Sequence, residues 1–258
     1  MARDLAPGVI PVKPTPPNAP IDPGPLVAFL APFQGLTRVF EPGLRGLVIG
    51  PLIINFLVVL GLATAAGFGF DALLETWLPE GWDWLAWLLW PLFALTLLVV
   101  FGVSAVALAA VIASPFSGPL AYRTARGLGH EPRQPARSFA GEMGHATATA
   151  LRKFGYYALL FIPVLLITVI PGLNLLAPIA WFLFGSWVLA VEFLEPALAN
   201  DGLSFAEVRK TLGARRLETL GFGAGTTLLA MVPLVNLLLV PAAVIGGTRL
   251  WVRRQGRT

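Results

Sequence analysis

The apolar positions of this 258-residue chain gather into a few long runs, and the charged positions are confined to the intervals between them. Residues 46–70 and 84–113 are each long enough to cross the hydrocarbon of a bilayer as one helix, with some tilt or overhang. Two further runs, 154–191 and 219–248, hold no charged residue but break near the middle on one signature. It reads Ile170-Pro171-Gly172-Leu173-Asn174 with Pro178 in the first, and Val232-Pro233-Leu234-Val235-Asn236 with Pro241 in the second. Each half-run offers roughly 12 to 17 apolar residues, whereas a single spanning helix takes roughly 20. The pattern predicts two helical hairpins that enter the membrane and turn back. Pro171, Asn174 and Pro178 form one turn and Pro233, Asn236 and Pro241 the other, the asparagines being suited to bond backbone groups freed at a turn.

Ahead of these runs, residues 26–40 are apolar but short and end at Glu41-Pro42-Gly43-Leu44-Arg45, which predicts an interfacial amphipathic helix. Residues 1–25 hold eight prolines and no apolar stretch of the kind a signal peptide needs, so they read as a disordered tail. One membrane domain, 26–253, then lies between that tail and a short C-terminal one, 254–258.

Composition fixes the class. At 56% hydrophobic and 12% charged, the chain is far from a soluble domain, which carries about 25% charged residues. It reads as an all-α integral membrane protein. Cysteine is absent, which removes disulfides, thiol catalysis and thiolate metal sites.

Charge gives a topology. The interval 71–83 holds Asp71, Glu75, Glu80 and Asp83 and no basic residue. The 18 lysines and arginines fall elsewhere: four before the first span, six within 114–153, four within 192–218 and four after Thr248. The positive-inside rule places those regions and both termini in the cytoplasm. A run with basic residues at both ends crosses an even number of times or not at all, which again argues for hairpins. Trp77, Trp82, Trp84, Trp87 and Trp90 surround the acidic interval as an outer interfacial belt. The net charge of +4 is spread over membrane-flanking segments, which fits contact with anionic membrane lipids and not a nucleic-acid stripe.

Catalytic chemistry finds little footing. His130 and His145 stand without metal-ligand spacing, so neither a metal nor a cofactor is expected. Gly221-Phe222-Gly223-Ala224-Gly225 lacks the context of a nucleotide loop, and Gly221 with Gly225 reads as a GxxxG packing pair. No carboxylate lies within the apolar runs as bounded above. What remains is recognition of a small solute. Pro42 is placed for the first turn of the first span, so that Gly43, Leu44 and Arg45 would bring free N–H groups, a helix dipole and a guanidinium to one point, which suits a tetrahedral oxyanion. The same arginine also suits a plain positive-inside anchor.

The ordered motifs then show a resemblance. PGLR at 42–45, PLIIN at 51–55, LLWPL at 88–92, SPFSGPLA at 114–121, IPGLN and APIAWFLFGSWVLAVE within 170–192, SFAEVRKTLGARR at 204–216 and the run 222–252 together resemble the CysZ family of bacterial sulfate permeases, within the wider EI24 group. The resemblance implies sulfate uptake across the inner membrane for cysteine synthesis, two long spans with two membrane-inserted hairpins, and a homo-oligomer. It associates Gly43, Leu44 and Arg45 with sulfate. The polar stretch after the first hairpin departs from the family pattern, reading Glu192-Phe193-Leu194-Glu195-Pro196, the interval 127–153 is short, and the proline-rich tail lies outside the likeness. A membrane scaffold or assembly factor that transports nothing is the alternative, since carriers often keep an ionisable residue within their spans.

Overall fold

The computed structural model describes residues 23–79, 81–134 and 139–256, so most of the proline-rich tail lies outside the described residues. In chain order the helices are α1 (Gly24–Leu36), α2 (Arg45–Trp77), α3 (Asp83–Gly127), α4 (Phe139–Val169), α5 (Ala177–Asn200), α6 (Phe205–Ala214), α7 (Arg216–Ala230), a single turn α8 (Pro233–Asn236) and α9 (Leu239–Arg254). A 3₁₀ turn, Leu173–Leu176, joins α4 to α5.

The segment read as an interfacial helix forms α1, and its small-residue face is packed between α7 and α9. The GxxxG pair makes the first of these contacts: a Cβ at Gly221 would lie 2.5 Å from the Pro25 carbonyl oxygen, and one at Gly225 would strike that of Phe29. On the other side Gly246 of α9 meets Ala31, and Gly35 of α1 meets Ala242. Close backbone approach of this kind is how helices associate where lipid supplies no hydrophobic drive. The second half of α5 and the end of α3 complete the core, so that Leu194, Leu198, Leu212, Phe222, Ile245 and Leu250 are fully buried.

Both Pro-x-x-Asn breaks are turns between antiparallel helices. Among the described residues, main-chain N–H groups close them: Asn174 N donates to Ile170 O at 3.1 Å and Asn236 N to Val232 O at 2.8 Å, with no bond from either amide side chain. Pro178 and Pro233 sit in the first turns of α5 and α8, where the missing N–H costs nothing.

The arms of the first hairpin are longer than the apolar run predicts. Ala150–Val169 and Leu173–Asn200, at 20 and 28 residues, are long and apolar enough to cross a membrane, as is α2 at 33. The helices continue past the uncharged boundary with their charges paired across the interface. Lys153 Nζ donates to Glu192 Oε2 at 3.1 Å and to Glu195 Oε2 at 3.5 Å across the α4–α5 interface. Two carboxylates therefore do lie on a helix of spanning length, against the expectation that the spans carry none. The second hairpin is short, α7 having 15 residues and α9 having 16.

Candidate functional site

The connector from α1 to α2 winds through consecutive turns. Glu41 N donates to Arg38 O at 3.1 Å, and Leu44 N and Arg45 N both donate to Glu41 O, at 3.1 and 3.3 Å. Two of the N–H groups expected to be free for an anion are thus already bonded. Pro42 precedes α2 instead of opening it, since Leu44 is the cap and Arg45 the first helical residue. Gly43 has φ +93°, a left-handed conformation that disfavours a side chain, although open space surrounds its α-carbon.

This connector, the end of α3 and the end of α9 enclose a cavity of 580 Å³. Arg38, Glu41, Gly43 and Leu44 line one wall, Pro119, Tyr122, Arg123 and Arg126 another, and Ile245 with Arg249 the third. Of the predicted site residues, Gly43 and Leu44 are in the lining. Arg45 is exposed and outside it, because one helical step turns its side chain away from the wall that Leu44 forms.

The charges are unequal. Arg38 pairs with Glu41 at 2.6 Å and Arg126 with Glu131 at 3.2 Å, both in exposed or half-exposed settings. Arg123 Nη1 donates to the Gly43 carbonyl at 3.1 Å, which spends a proton but leaves the charge. Arg249 Nε is buried with no hydrogen-bond partner. Burial first, and then the neighbouring Arg38 and Arg253, push the Arg249 pKa below the usual arginine value, with Glu41 opposing. An arginine remains charged under such a shift. The cavity therefore holds positive charge in excess of its one lining carboxylate, with donor capacity that an anion can use. Further along α2, Asn55 is buried and its Oδ1 has no hydrogen-bond partner, on a helix that is otherwise largely exposed.

Arg38, Arg123, Arg126 and Arg249 all count, in the sequence, only as membrane-flanking charge. One signal was present: Arg123 and Arg126 fall on one helical face, as the i, i+3 spacing requires. Arg249 follows the closely packed Gly246-Gly247 pair, which already places the end of α9 against the core. His130 has a structural place. Its Nε2 lies 2.9 and 3.0 Å from the two Asp201 oxygens, Trp251 Nε1 donates to Asp201 Oδ2 at 2.6 Å, and all three residues are buried. The side chain of His145 lies outside the described residues.

Known proteins match this arrangement over most of its length. A profile of the EI24 family, described as sulfate transporter CysZ/etoposide-induced protein 2.4, matches residues 31–241. The chain belongs to the EI24/CysZ family. A protein of Pseudomonas fluorescens Pf-5 named sulfate transporter CysZ is 39% identical over 229 residues, covering 86% of this chain and 92% of the relative. Its namesake in P. fluorescens Pf0-1 is 34% identical over the same shares. Another of that name, from Pseudomonas aeruginosa LESB58, is 34% identical and covered over 93% of its length. The EI24/CysZ match runs from α1 into α9, and so takes in the cavity walls contributed by the connector and α3.

Proposed function

We propose that this protein is a multi-pass permease that passes sulfate across the bacterial inner membrane and so supplies sulfur for cysteine synthesis. Membership of the EI24/CysZ family, and the shared name of its relatives, favour transport over a membrane scaffold. The observation that carries the reading is the cavity in which Arg38, Arg123, Arg126 and Arg249 face one carboxylate, with Arg249 Nε unpartnered.

A tetrahedral dianion suits that lining. Guanidinium forks pair two oxygens at once, and their weak hydration lets them replace part of the anion's water shell at low cost. Release matters equally. Glu41, already bonded to Arg38, lowers the net field of the wall, and conduction needs a site weak enough to leave. With both termini in the cytoplasm, this cavity is the inner end of the path. Gly43 and Leu44 contribute by shaping the wall that Arg123 grips. Arg45 contributes by its charge at the mouth. The exposed apolar faces of α2 and α4 leave area for lipid and for further copies of the chain in a homo-oligomer.

Radiolabelled sulfate uptake into proteoliposomes tests this. Wild type takes up sulfate above empty liposomes. Arg123→Gln with Arg249→Gln lowers the flux at least about tenfold, since charge-assisted hydrogen bonds contribute roughly 1.5–3 kcal/mol each. Arg45→Gln lowers it less. No uptake by folded wild type sinks the permease reading, whereas unchanged flux in the double variant sinks only the cavity.

A further inference from the structure

A second concavity, of 530 Å³, lies between α4 and α6 and shares no lining residue with the arginine cavity. Its α4 wall is the stripe Leu151, Gly155 and Leu159, one residue per helical turn. Leu151 and Leu159 are exposed, and Gly155 between them has open space where a side chain would stand, which leaves a shallow apolar channel along the helix. The stripe begins beside Arg152 and Lys153, the last charged residues before the uncharged run 154–191, and so runs inward from the level where a membrane helix meets lipid headgroups.

At that end the wall carries two guanidiniums and no carboxylate. Arg152 and Arg209 line the concavity, and neither has a carboxylate partner among the described residues. Arg209 is held in place nonetheless. Its Cζ stands 4.8 Å from the Tyr156 ring centre and 5.5 Å from that of Phe205, and Tyr156 OH accepts a hydrogen bond from Trp187 Nε1 at 2.8 Å. Cation–π contact of this kind fixes the guanidinium plane and leaves its edge donors available. The α6 amino terminus adds nothing, because Ser204 and Glu207 close it with a reciprocal capping box.

We propose that this concavity is a binding site for one anionic phospholipid, its phosphate bridged by Arg152 and Arg209 and one acyl chain laid along Leu151, Gly155 and Leu159. Charge complementarity selects the headgroup. The channel leading from it selects a lipid over a free anion. The site is independent of the transport reading and uses none of its residues.

Lipid retained by the full-length protein, purified in detergent and incubated with phosphatidylglycerol or phosphatidylcholine, is counted by native mass spectrometry. Wild type retains phosphatidylglycerol in preference to phosphatidylcholine. Arg152→Gln with Arg209→Gln reduces that preference about thirtyfold, as two basic contacts at a membrane surface imply. Arg152→Lys with Arg209→Lys keeps most of it. Gly155→Leu fills the channel in open space and lowers retention of both lipids. Excess inorganic phosphate leaves the bound lipid in place. Equal retention of the two lipids by wild type, an unchanged preference in the double glutamine variant, unchanged retention by Gly155→Leu, or displacement by inorganic phosphate would each overturn the site.

Discussion

The α4–α5 hairpin and the α7–α9 hairpin turn on the same spacing of proline and asparagine, but the first reaches the core only through the second half of α5 and leaves α4 and its turn largely exposed, whereas α9 is buried over most of its length. Leu175 in the first turn is 82% exposed, whereas every residue from Pro241 to Thr248 on α9 is buried. The difference lies in the small residues. Gly221, Gly225 and Gly246 let α7 and α9 close onto α1 until backbone meets backbone, whereas Gly155 on α4 faces open space. A shared turn signature fixes where a chain reverses; the side chains of the arms decide what it then packs against.

Each hairpin also ties its arm with an ion pair, and the two pairs differ in solvation. Arg254 Nε donates to Glu218 Oε1 at 2.7 Å with both side chains about 5% exposed or less, while the Glu192 side chain paired with Lys153 is 43% exposed. Glu218→Ala therefore leaves a buried arginine uncompensated and costs about 3–5 kcal/mol, read as thermal unfolding in detergent. Glu192→Gln costs less than about 1 kcal/mol, because the pair is partly solvated and Glu195 still faces Lys153. Equal losses would break the distinction.

Glycine substitutions sharpen it. Gly225→Leu drives a side chain into the Phe29 carbonyl and costs about 3 kcal/mol. Gly155→Ala meets nothing and leaves stability unchanged or raises it by up to about 1 kcal/mol, through helix propensity. Between these falls Gly172→Ala at the exposed turn, where φ of +87° costs an alanine about 1–2 kcal/mol. The two smallest effects, those of Glu192→Gln and Gly155→Ala, need chemical denaturation to resolve.

Hydrophobic run length and the paired prolines made the helical hairpins legible, and glycine spacing made one helix contact legible. Those signals are local: they depend on residues within a few turns of each other. The cavity was legible only in part for the opposite reason. Its arginines come from a connector, from the end of α3 and from the end of α9, and nothing in sequence order links Arg38 to Arg249. Gly43 and Leu44 fall in the cavity lining because the turn that holds them is written in consecutive residues. Arg45 followed by adjacency, although the first step of α2 carries it off the wall. The Glu218–Arg254 tie escaped likewise, its partners standing at opposite ends of a hairpin. The extension of α4 and α5 past the uncharged run is not legible in sequence, because Lys153 is paired with Glu192 and Glu195 only across the folded interface.

The seat of α1 between α7 and α9 has a consequence in time. α1 is synthesised well before its partners: Gly35 has no Ala242 to rest on, and Phe29 no Gly225, until α7 and α9 have been made. Contacts so far apart in sequence close slowly. During synthesis the α2–α3 pair and the α4–α5 hairpin can form from neighbouring segments, while α1 waits with its small-residue face uncovered. A ribosome that stops before α7 leaves a chain of well-made helices with no closed core, and the faces of α1, α3 and α5 that α7 and α9 would cover are what quality control has to tell it from the finished protein.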